Sequence, residues 1–209
     1  MKYGLLENGV DSLKSAYNSI EKISYLIEGV EHNMKDAILS LNHAIEILFK
    51  LILKRENEYL IFSDIGRYMN AKKQMIQQGK SNVFEVSSDL KTVNLSESIK
   101  RLQLLCDISI PPIFIAGIDK FNLTRNKLMH YELELSVAEV NETTRDLKGL
   151  YEQTVTFFID YIKNIQELLV EARFESVDPD YADEMAEHYA DMMYADMMDD
   201  EYRLQQFID

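Results

Sequence analysis

The sequence predicts an all-α fold, and three observations indicate it. The chain of 209 residues is 46% apolar, which is enough to fill one full core. It contains only 7 Gly and 3 Pro, so few positions interrupt a helix. Apolar residues recur at steps of three and four, which is the period of a helix with one buried face. We expect a helical bundle over residues 1–172 and an acidic, helical extension over residues 173–209.

Two amphipathic helices are predicted at the start of the chain. The first covers residues 5–30 and ends near Gly29, and its apolar stripe consists of Leu13, Tyr17, Ile20, Ile23 (or Ser24) and Ile27. The second covers about residues 34–55 and is the most apolar, with a stripe of Ile38, Leu41, Ile45, Leu48 and Ile52. We therefore expect the second helix to lie at the centre of the bundle.

A polar strip interrupts the second helix at steps of four residues. It consists of Asn42, Glu46, Lys50 and Lys54. One interpretation is an exposed face, on which a Glu46–Lys50 pair is worth about 0.3–0.5 kcal/mol. This interpretation suits Lys54. The other interpretation is that Asn42, Glu46 and Lys50 line a functional cleft and bind substrate.

The helical period fades between residues 57 and 94. The polar stretch 74–82 is predicted to be a loop, and residues 83–86 are predicted to form a short extended piece. A helix restarts after Asn94 or Ser96 and continues through Leu102 and Leu105, until Pro111 and Pro112 close it. This middle segment is a candidate for a mobile rim over a functional site.

The next helix starts after the two prolines and reaches a hexad of charged and polar residues, Arg125-Asn126-Lys127-Leu128-Met129-His130. Its inward-facing residues are predicted to be Ile115, Ile118, Phe121 (or Asn122), Leu128 and Met129, whereas Arg125 and Asn126 emerge elsewhere. Ser136 and Glu139 have the spacing of a capping box that opens a last long helix over about residues 137–173. His130 is therefore expected close to a helix end.

The separation of Arg125 and His130 sets a geometric condition on the hexad. Five residues turn an α-helix by about 500°, so the two side chains point about 140° apart. They can act together if the helix ends near His130, or if a second chain contributes its own pair. Arg and His at this separation also recur by chance, so a structural role at a helix end is the alternative.

The acidic charge is concentrated in the tail. The net charge is −14, and residues 171–209 hold 13 acidic residues against Arg173 and Arg203. The rest of the chain is nearly neutral, and Lys120, Arg125 and Lys127 form a locally basic region. Because phosphate binding depends on local rather than total charge, RNA contact is compatible with this composition.

Several classes of protein and site are not expected. No apolar run is long enough for a membrane span, and the start resembles no signal peptide, so we expect a cytoplasmic protein. Cys106 is the single cysteine and is interpreted as a core residue. The four histidines, His32, His43, His130 and His188, have no metal-ligand spacing, so neither a metal nor a cofactor is expected.

Three segments in this order resemble the HEPN superfamily, the higher eukaryotes and prokaryotes nucleotide-binding domain. They are residues 43–53 of the second helix, residues 91–102, and the hexad 125–130, within a likeness that covers about residues 10–170. The resemblance implies an antiparallel helical bundle that dimerises. Active members of this superfamily are metal-independent endoribonucleases used as toxins or in phage defence.

The resemblance implies roles for the hexad. Arg125 and His130 would be the catalytic pair, and Asn126 the polar residue after the Arg. The local basic charge, rather than the resemblance, makes Lys127 a candidate for substrate binding. The expected substrate is RNA and not DNA. The expected products carry 2′,3′-cyclic phosphate and 5′-hydroxyl ends. The expected partners are a second copy of the chain and an antitoxin or defence protein. The alternative is a non-catalytic HEPN module that binds a nucleotide or a protein.

One position departs from some HEPN toxins, which carry a Tyr two residues after the His. That position is Glu132 here, and Tyr131 lies directly after His130. The resemblance therefore does not extend to modification at that Tyr by a partner nucleotidyltransferase.

The tail carries Met and Tyr at near-helical steps. They are Tyr181, Met185, Tyr189 and Met192, after a helix start at Asp178-Pro179. One interpretation is a helix folded onto its own bundle or a loosely ordered acidic end. Another is a contact surface for a partner, or an RNA mimic over the basic site.

Overall fold

The computed structural model describes residues 3–26, 28–173 and 179–206. These ranges contain eight α-helices: α1 Leu5–Ile23, α2 Val30–Glu56, α3 Ile65–Gln77, α4 Leu95–Leu105, α5 Pro112–His130, α6 Val137–Ile159, α7 Ile165–Glu171 and α8 Pro179–Gln206. Two short 3-10 helices cover Glu58–Ile61 and Val83–Glu85. Across the described ranges the only β-pairing is a single bridge between Phe62 and Thr92. The predicted all-α fold is confirmed.

Side-chain pairs give the direction of the helices in the bundle. Between α1 and α2, Asn8 bonds His43 and Ser15 bonds Ser40, so residue numbers rise on one helix as they fall on the other. The pairs between α5 and α6, such as Lys120–Asp146, and between α1 and α6, such as Tyr17–Tyr151, follow the same rule. These neighbouring helices are therefore antiparallel.

The core lies around α2 and includes buried residues of α1, α4, α5 and α6. Phe49 of α2 is fully buried, and its ring lies 5.3–6.2 Å from the rings of three other phenylalanines, Phe114, Phe157 and Phe158. The apolar stripe predicted for α2 is buried along its whole length. The central position of the second helix is confirmed, since α2 contacts α1, α4, α5 and α6.

Arg101 of α4 joins the middle segment to the bundle. Its Nη1 atom donates hydrogen bonds of 2.8 Å to the carbonyl oxygens of Leu60 and Phe62, and its Nε atom donates to Glu97. Asn94 caps the same helix by accepting a hydrogen bond from the Glu97 N–H. The carbonyl groups at the end of the first 3-10 helix are thus satisfied by a side chain about forty residues away.

The boundary between the first two helices differs from the prediction. α1 ends at Ile23 rather than near Gly29, and α2 begins at Val30. Gly29 adopts a left-handed conformation with φ of 76°, which suits glycine, and directly precedes α2. Ser24, Tyr25, Leu26 and Gly29 therefore belong to the connection between two antiparallel helices. Ile27, assigned to the predicted stripe, lies outside the described residues.

The middle segment is more helical than predicted. α3 includes Gln74–Gln77, which we expected in a loop, and residues 83–85 form a 3-10 helix rather than an extended piece. In α3 only Tyr68 and Ala71 are buried, so its apolar stripe is too short to detect by periodicity. Its start has a local signal, because the Asp64 carboxylate accepts a hydrogen bond from the Arg67 N–H.

The last long helix is broken in two. The capping box that opens it is confirmed, because Ser136 and Glu139 bond each other's backbone N–H. α6 ends at Ile159, however, and α7 begins after Asn164, which has a left-handed φ of 59°. The apolar stripe continues across the break, with Ile162 and Ile165 buried, and for this reason periodicity alone suggested one helix.

The chain divides into two compact units, Met1–Arg173 and Phe174–Asp209. α8 belongs to the second unit, and Tyr189, Met192, Met193, Met197 and Met198 on it are exposed. The side chain of Tyr181 lies outside the described residues. None of the described helices combines the length and the apolar character that a membrane crossing requires. The contact surface predicted for the tail stays a prediction.

Candidate functional site

α5 ends within the hexad. Pro112 is at the start of the helix, where its missing N–H removes no helical hydrogen bond. The last helical residue is His130, and the Tyr131 N–H donates a 2.9 Å hydrogen bond to the Lys127 carbonyl. Residues 125–130 therefore form the final turn and a half of α5. This satisfies the first geometric condition, a helix end close to His130.

Arg125 lies on the inner face of α5. Phe114, Ile118 and Phe121 are buried at steps of four and three, and the next two steps fall on Arg125 and Leu128, which are half-buried. The prediction that Arg125 emerges away from the packed face is wrong, because the inner stripe continues through its position. The prediction that Met129 packs inward is also wrong, since that side chain is largely exposed.

Asn126 is the immediate partner of Arg125. The Arg125 Nη1 atom donates a 3.0 Å hydrogen bond to Asn126 Oδ1, which orients the guanidinium along the end of the helix. Asn126, Lys127 and His130 are exposed. Among the described residues no hydrogen bond joins Arg125 to His130, as expected for side chains about 140° apart on a helix. In one chain the two groups therefore lie on the same helix end but point in different directions.

The last turns of α5 carry the basic residues Arg125 and Lys127, and the acidic residues Glu132 and Glu134 follow in the connecting segment. In the described part of the chain, neither Arg125 nor Lys127 has a carboxylate within ion-pair distance, whereas Lys120 one turn earlier is held by Asp146 at 2.6 Å. Two cationic groups and an imidazole thus remain available to an anion at the end of α5. Arg125 and Lys127 are two residues apart on α5 and do not share a helix face, so a phosphate at this end is bound first of all by the guanidinium.

The polar strip of α2 is largely buried. Asn42 and Lys50 are each 6% exposed, so the interpretation of an exposed face is wrong for these two residues and right for Lys54. The Lys50 ammonium donates to Glu46 at 2.6 Å and to the Thr92 hydroxyl at 3.1 Å. Lys50 therefore connects α2 to the segment before α4.

The polar strip of α2 and the hexad of α5 lie at different positions along the axis of the bundle. The contact between Phe49 and Phe114 sets the register of α2 against α5, which run antiparallel. At a rise of 1.5 Å per residue, Asn42 lies about one turn from the level of Arg125, and Lys50 lies about 18 Å away along the axis. Asn42 thus lies near the axial level of the hexad, whereas Glu46 and Lys50 lie farther along the axis.

A cleft of about 330 Å³ lies at the same end of the bundle and was not predicted from sequence. It is lined by the starts of α2 and α6, the end of α5, and the connecting residues Leu133 and Leu135. The segment Tyr131-Glu132-Leu133-Glu134-Leu135 alternates apolar and acidic residues, and this alternation was the available signal. We define the α5-end cleft as the space lined by these residues.

Within the described residues no group of three His, Cys, Asp or Glu side chains is placed to hold a metal ion. Burial raises the pKa of the Cys106 thiol, and Glu56 and Asp107 nearby raise it further. This cysteine is only half-buried, at the end of α4, rather than fully in the core as we expected. Comparison of the chain with protein-family models, curated proteins and solved structures gives no match.

Proposed function

We propose that this chain is a metal-independent endoribonuclease of the HEPN type, acting as a homodimer. One observation carries the proposal: α5 ends at His130 and leaves Arg125, Asn126 and His130 accessible on its last turn and a half. The resemblance of the sequence to HEPN proteins supports the same assignment. Within the described residues neither Arg125 nor His130 has a carboxylate at ion-pair distance, so both groups are open to a substrate.

Arg125 has the chemistry to bind the scissile phosphate. A guanidinium donates two parallel hydrogen bonds to phosphate oxygens, and it stabilises the extra negative charge of a pentacoordinate transition state. Its half-buried position limits the competition from water and keeps the group oriented. Asn126 holds the guanidinium through its side-chain oxygen and leaves its amide N–H groups for the substrate.

His130 has the chemistry to transfer protons. The ribose 2′-oxygen attacks phosphorus and loses its proton to a general base, while the P–O5′ bond breaks and the 5′-oxygen gains a proton from a general acid. The products are a 2′,3′-cyclic phosphate and a 5′-hydroxyl. One imidazole cannot serve as base and acid in the same step. In a dimer, the His130 of one chain would act as the base and the His130 of the other chain as the acid.

The remaining candidate residues have supporting roles in this proposal. Lys127 adds a positive charge beside the phosphate. Asn42 lies nearest the axial level of the hexad among the residues of the strip, and its burial limits it to supporting the site from inside the bundle. Glu46 and Lys50 lie farther from the site of the same chain, and they bind substrate only if the RNA extends along the bundle.

The biological setting follows from the activity. An enzyme that cuts RNA without a cofactor is harmful to its own cell, so it requires control by a partner. We infer a role in toxin–antitoxin function or antiphage defence in the bacterial cytoplasm, with an antitoxin or defence protein as the partner.

The test is cleavage of total RNA and of a tRNA pool by the purified full chain in the presence of EDTA. The variants are Arg125→Ala and His130→Ala. The matched controls are Arg67→Ala, an exposed arginine paired with Asp89, and His43→Ala, an exposed histidine on α2. We expect both site variants to lose at least about a hundredfold in rate, a typical effect of removing one transition-state donor, and both controls to cut normally.

Two results would contradict the proposal. Cleavage that disappears on chelation would indicate a different chemistry, and cleavage that persists in both site variants would indicate a contaminating nuclease. A folded wild-type chain that binds RNA or a nucleotide without cutting would favour the non-catalytic binding module. Mapping of the product ends distinguishes a cyclic phosphate from simple hydrolysis.

A further inference from the structure

The α5-end cleft is apolar and open. Six apolar side chains line it: Val30 and Met34 of α2, Leu128 of α5, Leu133 and Leu135 of the connecting segment, and Val140 of α6. Its volume of about 330 Å³ is at the lower end of the range for small-molecule pockets. A space of this volume holds a compact group rather than an extended ligand.

The polar groups of the cleft lie at its rim. Glu31 and Lys35 are the only charged residues that line it, one turn apart on α2. The basic residues Arg125 and Lys127 lie at the same end of the bundle, and so do the acidic residues Glu132 and Glu134 of the connecting segment. The rim therefore carries both signs of charge, and the apolar lining is the feature that suits a flat ring.

The cleft is adjacent to the phosphate-binding candidate. Leu128 lines it, and Arg125 is the preceding residue on the same inner stripe of α5, within about one turn or 5.4 Å along the axis. In RNA, a base and its phosphate are separated by one ribose. A phosphate held at Arg125 therefore leaves the attached base within reach of the cleft.

Tyr131 supplies a second flat surface. Its side chain is 87% exposed, more than any other large apolar or aromatic residue whose exposure is described. It follows His130 directly and lies between two residues that line the cleft, Leu128 and Leu133. An exposed tyrosine at this position offers a ring face on which a neighbouring base can stack.

We propose that the α5-end cleft receives one unpaired nucleobase of the RNA, and that Tyr131 stacks on the neighbouring base. This inference rests on the proposed function, because it places the base beside the phosphate held by Arg125. A base in a duplex is paired and stacked, so it cannot enter the cleft. The site therefore selects single-stranded segments such as loops, and it does so through stacking and burial rather than through base-specific hydrogen bonds.

The test measures binding separately from cleavage. A fluorescent single-stranded oligonucleotide with 2′-O-methyl riboses has no 2′-hydroxyl to attack phosphorus, so it is bound but not cut. Its fully paired duplex serves as the second probe. The variants are Leu133→Phe, which fills the cleft, and Tyr131→Ala, which removes the stacking ring from an exposed position. The matched control is Leu123→Phe, because Leu123 is exposed on α5 and does not line the cleft.

We expect the wild-type chain to bind the single strand at least about tenfold more tightly than the duplex. The duplex cannot place a base in the cleft or on Tyr131, and stacking of one or two bases is worth about that factor. Leu133→Phe and Tyr131→Ala should each weaken single-strand binding by about five- to tenfold and leave duplex binding unchanged. Leu123→Phe should bind as wild type. Far-ultraviolet circular dichroism and the unfolding midpoint check that each variant is folded.

The outcomes separate this inference from the proposed function. Equal binding of single strand and duplex, or unchanged single-strand binding in both Leu133→Phe and Tyr131→Ala, overturns the base-binding cleft even if the protein cuts RNA. Cleft-dependent binding of the single strand by a chain that never cuts a cleavable RNA supports the cleft and overturns the nuclease.

Discussion

Lys50 donates a 2.6 Å hydrogen bond to Glu46 inside the bundle, and its side chain is only 8% exposed. The same ammonium bonds the Thr92 hydroxyl, so the pair connects α2 to the segment that precedes α4. A buried lysine without its carboxylate would retain a charge that water cannot reach. The Glu46–Lys50 pair is therefore a structural element whatever it does with a substrate.

Glu46→Ala should destabilise the fold strongly, because it leaves the Lys50 charge uncompensated. We expect a loss of about 2–4 kcal/mol in the free energy of unfolding, measured by urea denaturation at neutral pH. Lys50→Met removes the charge and keeps the apolar stem, so it should cost less than Glu46→Ala. Lys54→Met, on the exposed end of the strip, is the control and should be within about 0.5 kcal/mol of wild type. Equal costs for Glu46→Ala and Lys54→Met would contradict the buried pair.

Arg101→Lys should destabilise the middle segment. The guanidinium donates to two backbone carbonyls and to Glu97 at once, and an ammonium cannot reproduce that planar arrangement. We expect a loss of about 2 kcal/mol, from carbonyl groups left without a donor. Lys100→Ala at the neighbouring exposed position is the control. Hydrogen exchange of the Phe62 and Val93 amides should quicken in Arg101→Lys only.

Replacement of two glycines by alanine should change the stability of the fold in opposite directions. A Cβ atom at Gly149 of α6 meets no other side chain within 4 Å, so Gly149→Ala should stabilise the fold by up to about 1 kcal/mol through helix propensity. A Cβ atom at Gly9 of α1 would collide with the Leu48 side chain, so Gly9→Ala should destabilise it. Thermal unfolding of both variants beside wild type tests this prediction. A stabilised Gly9→Ala would show that α1 and α2 pack less closely.

Asn126→Ala should reduce cleavage less than Arg125→Ala does. Asn126 accepts a hydrogen bond from Arg125, so its removal loosens the guanidinium without removing it. We expect about a tenfold loss in kcat, against at least about a hundredfold for Arg125→Ala. Asn126→Asp would pair with the guanidinium and should raise KM for RNA. If Asn126→Ala cuts at the wild-type rate, the amide has no positioning role.

The stabilisation that the ionised Glu58 carboxylate gives to the fold should be lost in acid. Hydrogen bonding to Lys72 lowers the pKa of this carboxyl below its ordinary value of 4.5, and Tyr68 lowers it further against the opposing effect of burial. A lowered pKa in the folded state means that the stabilisation is present above pH 4.5 and is lost as the pH falls through the folded value. Glu58→Gln should remove this part of the acid dependence.

The effect should be small, because the Glu58 and Lys72 side chains are about a third exposed and solvent screens the pair. The measurement is the free energy of unfolding of wild type and Glu58→Gln from pH 7 to pH 3. The gap between them should narrow below pH 4.5. A constant gap across this range would contradict the stated pKa direction.

Much of the fold was predictable because its signals are local. The buried stripe of α2, the proline at the start of α5 and the Ser136–Glu139 capping box each depend on residues within a few positions of one another. The end of α5 near His130 was predicted in the same way. α3 was missed because it buries only two residues, and the break after Ile159 was missed because the apolar stripe continues through it.

The sequence by itself determined the all-α class, the central helix and the hexad at a helix end, because helical hydrogen bonds and stripes repeat every three or four residues. Only the tertiary structure decided that Lys50 is buried against Thr92, that Arg125 continues an inner stripe, and that Leu133 and Met34 meet in one cleft. Lys50 and Thr92 are about 40 positions apart in the chain, and Met34 and Leu133 about 100. No periodic pattern encodes such pairings, since they follow from how the helices pack against one another.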